Sequence, residues 1–136
     1  MNQKQSLEIS IPSELGYEKV ALSAIAVLAQ MTGFSRERTD DLKTALAEAV
    51  TNAIEHGNGL NVQLPVQIIV WIEQDALTLR IIDQGLKPLP RFTCPRQQRA
   101  DCRGWGFMLM KNLTDEVRAI VMPGYNELQL VMLRPA

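Results

Sequence analysis

The period of the apolar residues changes midway along this chain, from near 3.6 across residues 41–59 to 2 after Pro65. That change limits the fold to helices packed on strands. Within 41–59, Leu42, Leu46, Ala49 and Ala53 form a narrow apolar stripe that must face a core. Ala45, Glu48, Asn52 and His56 form a second row beside it. The row aligns a carboxylate, a carboxamide and an imidazole along the rim of a buried surface. Taken alone, it is either an ordinary solvated face or part of a site. Gly57 and Gly59 end the helix, since glycine accepts the left-handed conformation that stops one.

After Pro65, Val66, Ile68, Val70 and Ile72 point one way, and Gln67, Ile69 and Trp71 the other. Gln74-Asp75 make a turn, and Leu77, Leu79 and Ile81 alternate in a second strand of a hairpin. Asp83 shares their parity, which aims its carboxylate into the space between sheet and helices, where it needs a partner. Upstream, Leu7, Ile9 and Ile11 predict a first strand, broken at Pro12-Ser13, with Ser13 as an N-cap. Residues 14–32 read as a helix with Leu15, Leu22, Ile25, Leu28 and Met31 on one side. Gly33 closes it, and Ser35 caps the next.

Residues 84–103 carry neither period. They hold Pro88, Pro90 and Pro95, and set Lys87, Arg91, Arg96, Arg99 and Arg103 against Asp101. They are a solvated loop or a basic lid over phosphates. A short helix over 104–112 follows, then a strand through Val117, Ala119 and Val121, a turn at 123–126, and a last strand through Leu128, Leu130 and Met132. This order predicts an α+β two-layer sandwich, with one mixed or antiparallel sheet covered on one face by helices, as a single domain over 1–136.

Composition excludes several classes. A net charge of −1 gives no electrostatic case for nucleic acid or an anionic membrane. No apolar run reaches membrane-spanning length, and the polar start is no signal peptide, which leads to the expectation of a cytoplasmic protein. Two cysteines and one histidine are too few for a zinc cage. Cys94 and Cys102 therefore read as reduced thiols, with a regulatory disulfide between them as the alternative. No GxxxxGK[ST] run is present, so a P-loop is excluded.

The run EAVTNAIEHGN within 41–59, then DQG at 83–85, then GWGF at 104–107 resembles the N box, first glycine box and second glycine box of the Bergerat-fold (histidine kinase-like) ATPases. The fuller wording, with GWGFMLMKNLTDEV, resembles the small stand-alone branch of RsbW/SpoIIAB-type anti-sigma factor serine kinases. The resemblance sets the N box at 41–59, the first glycine box at 83–88, the lid at 84–103 and the second glycine box at 104–109.

An ATP site built on these segments assigns each residue a task. Asp83 accepts a hydrogen bond from the exocyclic amino group of adenine, and a base lacking that group leaves the carboxylate unpaired. Gly85 lets the backbone pass close to the ring, and Ala53 and Ile81 wall the slot. Asn52 offers a carboxamide oxygen to Mg²⁺, which takes few protein ligands. Gly104 and Gly106 open a helix whose free N–H groups face phosphate, with His56 and Phe107 in the same cradle. Glu48 is the base that takes the acceptor's proton, and Arg103, with Arg99 second, neutralises the transferred group.

The resemblance supports Asn52, Glu48 and Asp83 in these roles. It also implies a homodimer that phosphorylates a serine or threonine of a STAS-type anti-anti-sigma partner and sequesters a sigma factor. The alternative is a docking module that holds ATP without transferring phosphate. His56 lies inside the N box, which argues against self-phosphorylation on histidine. Two departures stand out: Lys87, followed by Pro88, occupies the place of the usual second glycine of the first glycine box, and the lid wording is unlike the family's.

Overall fold

The computed structural model describes residues 5–85 and 104–135, with side chains described for 5–85 and 106–135. Lys87, Pro88, Cys94, Arg99, Cys102 and Arg103, and with them the lid from residue 86 on, lie outside the described residues. The elements run β1 (Gln5–Pro12), α1 (Glu18–Met31), α2 (Arg36–Asn52), a π turn (Ala53–Gly57), β2 (Pro65–Ile72), β3 (Ala76–Asp83), α3 (Gly104–Leu113), β4 (Glu116–Met122) and β5 (Tyr125–Leu133). This is the predicted order.

The strands form one sheet in the order β1-β2-β3-β5-β4, and every pairing is antiparallel. Register follows the apolar parity. Ile68 faces Ile81, Ile81 faces Leu128, and Leu79 faces Leu130. These residues, with Val66, Val70, Leu77 and Met132, make the buried inner face. A one-residue slip would turn all of them outward, so the pattern specifies the pairing. The inner face meets Leu42, Leu46, Ala49 and Ala53, all buried as the stripe predicts. α2 lies between α1 and α3. Ser35 caps it by accepting the Arg38 N–H at 3.1 Å.

α1 differs from its prediction. It begins at Glu18, and its N-cap residue, Tyr17, makes no side-chain capping bond. Ser13 cannot cap it, because its hydroxyl donates to Leu64 O and accepts from Asn58 Nδ2. Gly16 then takes φ +113°, which only glycine adopts without strain. The buried stripe becomes Ala21, Ile25, Leu28 and Ala29, whereas Leu15 is 50% and Met31 76% exposed. Leu15 precedes the first helical turn, and Met31, the last residue of α1, lines an open groove with Leu7 and Ile72 of the sheet instead of entering the core.

The opposite face of the sheet carries its own polar cluster. Glu127, 2% exposed, receives Arg80 Nε at 2.7 Å and Arg80 Nη2 at 2.8 Å, with Tyr125 Oη and Gln129 Nε2 also donating to it. The Arg80 guanidinium stacks 4.7 Å from the Trp71 ring centre. Four donors, two of them from one flat cation, let a carboxylate lie buried on a face that the helices do not cover.

Candidate active site

β3 ends on Asp83, and the end of α2 meets it there. Asp83 is 2% exposed and on the inner face, as its parity predicts. Its Oδ1 accepts from the Gly85 N–H at 2.8 Å and from Asn126 Nδ2 at 3.1 Å. Asn126 is the register partner of Asp83 across β5. These donors answer the need of a buried carboxylate for partners.

Past Asn52, α2 continues as a π turn, closed by the Asn58 N–H bonding Ala53 O at 2.8 Å. The row Ala45–Glu48–Asn52–His56 assumes an α-helical step, and the wider turn breaks that step between Asn52 and His56. His56 Nε2 sits 3.6 Å from Glu55 Oε2. Gly57 does not stop the helix through a left-handed φ. That conformation falls to Gly59, at +60°. Gly57 serves another need: a Cβ there would lie 2.2 Å from the Asp83 carboxylate. Only a residue without a side chain lets the helix end close on the strand end.

The first turn of α3 closes the other side. A Cβ on Gly106 would lie 2.8 Å from Glu48 Oε2 and 3.6 Å from Asn52 Nδ2. The second glycine box therefore sits directly on the base candidate and the metal-ligand candidate. Glu48 is half-buried, Asn52 is 4% exposed, and Ala53 and Ile81 are buried. Phe107 packs against the core with Lys111 Nζ 5.7 Å from its ring. Gly104 opens α3. Gly85 has φ +66°, and the close approach that demands a glycine there is to the backbone of Tyr125, whose nitrogen would lie 2.6 Å from an added Cβ.

A model of the histidine kinase-like ATPase domain matches residues 11–132. The chain belongs to the histidine kinase-like ATPase family. Its relatives in this family place it in the RsbW branch. It is 33% identical over 128 residues to an anti-sigma F factor of Bacillus thuringiensis, covering 88% of this chain and 84% of that one. It is 29% identical over 127 residues to the serine-protein kinase RsbW of Oceanobacillus iheyensis, covering 87% and 80%. A crystal structure of RsbU and RsbW domains from Mycobacterium tuberculosis superposes with a TM-score of 0.72 at 19% identity, over 97% of this chain and 34% of that one. That likeness supports the fold, and the chain spans about a third of the mycobacterial protein.

Among the described residues no group of three histidine, cysteine or acidic side chains could hold a metal. Magnesium asks for less, since it keeps waters and substrate phosphates as most of its ligands. Asn52 fits that demand. Its carboxamide oxygen is the atom that would take the ion, while its Nδ2, buried without a hydrogen-bond partner among the described residues, is a donor suited to a phosphate oxygen and not to a metal. Glu48 lies beside it across Gly106.

Sequence reasoning missed Asn58 and Asn126. Asn126 carried a readable signal, because it shares the parity of Leu128, Leu130 and Met132. Asn58 carried none beyond its place in the HGN wording, since no period runs through it.

Proposed function

We propose that this chain is an ATP-dependent serine/threonine protein kinase that acts as an anti-sigma factor in the cytoplasm. It phosphorylates a STAS-type anti-anti-sigma partner and sequesters a sigma factor. The observation that carries the reading is the double closure at glycine. Gly57 brings the helix end onto Asp83, and Gly106 brings the start of α3 onto Glu48 and Asn52. The residues proposed as base-reading acid, metal-binding amide and proton acceptor thus lie on neighbouring walls.

In this reading Asp83 accepts the adenine amino group, held by Gly85 and Asn126. Asn52 would hold Mg²⁺ through its carboxamide oxygen, and the bound ion would supply charge neutralisation at the phosphates. The N-terminus of α3, at Gly104 and Gly106, directs N–H groups and its dipole toward phosphate oxygens. Glu48 takes the proton of the acceptor hydroxyl as its oxygen bonds the γ-phosphorus and ADP departs. Arg103, next to Gly104, is the proposed cation over the transferred group.

The relatives named serine-protein kinase and anti-sigma F factor support the same activity here. No helix among the described residues is long and apolar enough to cross a membrane. Dimerisation follows from the resemblance, and sedimentation of the purified chain tests it. The transfer itself is tested with γ-labelled ATP and a STAS-type partner. Label should reach a serine or threonine of the partner, and should vanish in Glu48→Ala while ATP binding persists. ATP binding without label in the wild type would instead identify a docking module.

A further inference from the structure

Asn58 is fully buried and lies just past the π turn. Its side chain reaches three other segments. Nδ2 donates to Ser13 Oγ at 2.9 Å, to Pro65 O at 3.1 Å and to Leu64 O at 3.3 Å. Oδ1 accepts the backbone N–H of Gln84 at 2.8 Å. Its own N–H closes the π turn on Ala53 O. One residue therefore ties the helix wall, ending at Gly57, to the loop that carries Asp83 and Gly85.

We propose that Asn58 is the positioning residue of the base end of this site: through Gln84 it fixes the spacing between the π turn and the Asp83–Gly85 loop, and so sets selectivity for a purine with an exocyclic amino group. This rests on the ATP reading above. Asp83 discriminates a base only if its carboxylate stays within hydrogen-bond reach of one position. Gly85 N–H and Asn126 Nδ2 both donate to Asp83 Oδ1. Gly85 N–H is set by a backbone that Asn58 holds one residue away. Freed from Asn58, Gln84 would lose a bond in a part-buried place, and the loop would move toward solvent to regain one.

The two arms of Asn58 have separate uses, which makes a structural role distinguishable. The donor arm knits the 58–65 segment to β1 through Ser13. The acceptor arm alone touches the base loop. Ser13→Ala weakens the donor arm and leaves the acceptor arm in place. Asn58→Ala removes both, and Asn58→Asp keeps the acceptor.

The experiment measures Kd for ATP and for ITP, whose base carries an oxygen where adenine carries the amino group, in each full-length variant. Circular dichroism at the binding temperature reports folding, and hydrogen exchange reports the Gln84 amide. Asn58→Ala should weaken ATP about tenfold and narrow the ATP-to-ITP preference to within about threefold, with faster Gln84 exchange. Ser13→Ala should lower the melting temperature and leave the preference as in the wild type. If Asn58→Ala does not fold, Asn58→Asp replaces it, and should keep the wild-type preference despite lower stability.

An unchanged ATP-to-ITP preference in folded Asn58→Ala overturns the proposal, as does a lost preference in folded Asn58→Asp or in Ser13→Ala. A wild-type chain that binds no ATP is a different failure. It overturns the ATP reading first and this inference with it.

Discussion

Gly57 and Asp83 touch: a single methyl group on Gly57 would lie 2.2 Å from the Asp83 carboxylate. Contacts that short do not exist between real atoms, so the helix end and the strand end can be neighbours only while residue 57 has no side chain. The same logic joins Gly106 to Glu48. Both glycines are conformationally ordinary, with φ outside the left-handed region. Their requirement is clearance, and clearance makes them sensitive probes of the site.

Gly57→Ala should push Asp83 off its position without backbone strain. Overpacking of this kind costs about 1–3 kcal/mol of stability. ATP affinity should fall about tenfold or more, because the displaced carboxylate no longer meets the amino group. Denaturant unfolding and calorimetric titration of the same sample check both effects.

Gly106→Ala should separate stability from chemistry. Alanine favours a helix over glycine by roughly 1 kcal/mol, so the fold should hold or gain. The added methyl meets the flexible end of Glu48, which must swing away. A misplaced base should slow phosphoryl transfer by about a hundredfold while ATP affinity changes only a few-fold. Single-turnover transfer measured beside ATP binding reads the split.

The outer face of the sheet predicts an acid response. Arg80's hydrogen bonds hold the Glu127 carboxyl at about 2, against 4.5 ordinarily, with burial acting the other way and Tyr125 and Gln129 assisting. Folding lowers this pKa, so between those values the unfolded chain binds more protons. The stabilisation is complete above pH 4.5 and is lost as pH falls toward 2. Glu127→Gln should be less stable at pH 7 and should lose less on acidification. Arg80→Met, which strands a buried carboxylate, should cost about 3 kcal/mol at neutral pH. Unfolding midpoints between neutral and acid pH check both variants.

Strand parity made much of this legible in the sequence. Leu77, Leu79 and Ile81 put Asp83 on the inner face by parity alone, and the stripe through Leu42 and Ala53 puts α2 against the sheet. Parity works because every second residue of a strand must share one environment. The misses have equally local causes. Ser13 has a capping residue's chemistry, but its hydroxyl is taken by Leu64 and Asn58 from segments distant in sequence. The π turn changes the helical step after Asn52, which no 3.6-residue count can foresee. Gly57 looks in the sequence like a helix stop chosen for its conformation, but its reason is contact with Asp83. Asn126 has the chemistry of a turn residue, yet it pairs with Asp83 in the sheet.

The most direct test is a calorimetric titration with Mg-ATP of the wild type, Asp83→Asn and Asn52→Ala. A shared nucleotide site predicts saturable heat in the wild type and affinity weakened about tenfold or more in each variant. Dependence on Mg²⁺ should be largely lost in Asn52→Ala alone. No heat from the wild type, or two variants that titrate as the wild type does, would contradict the account.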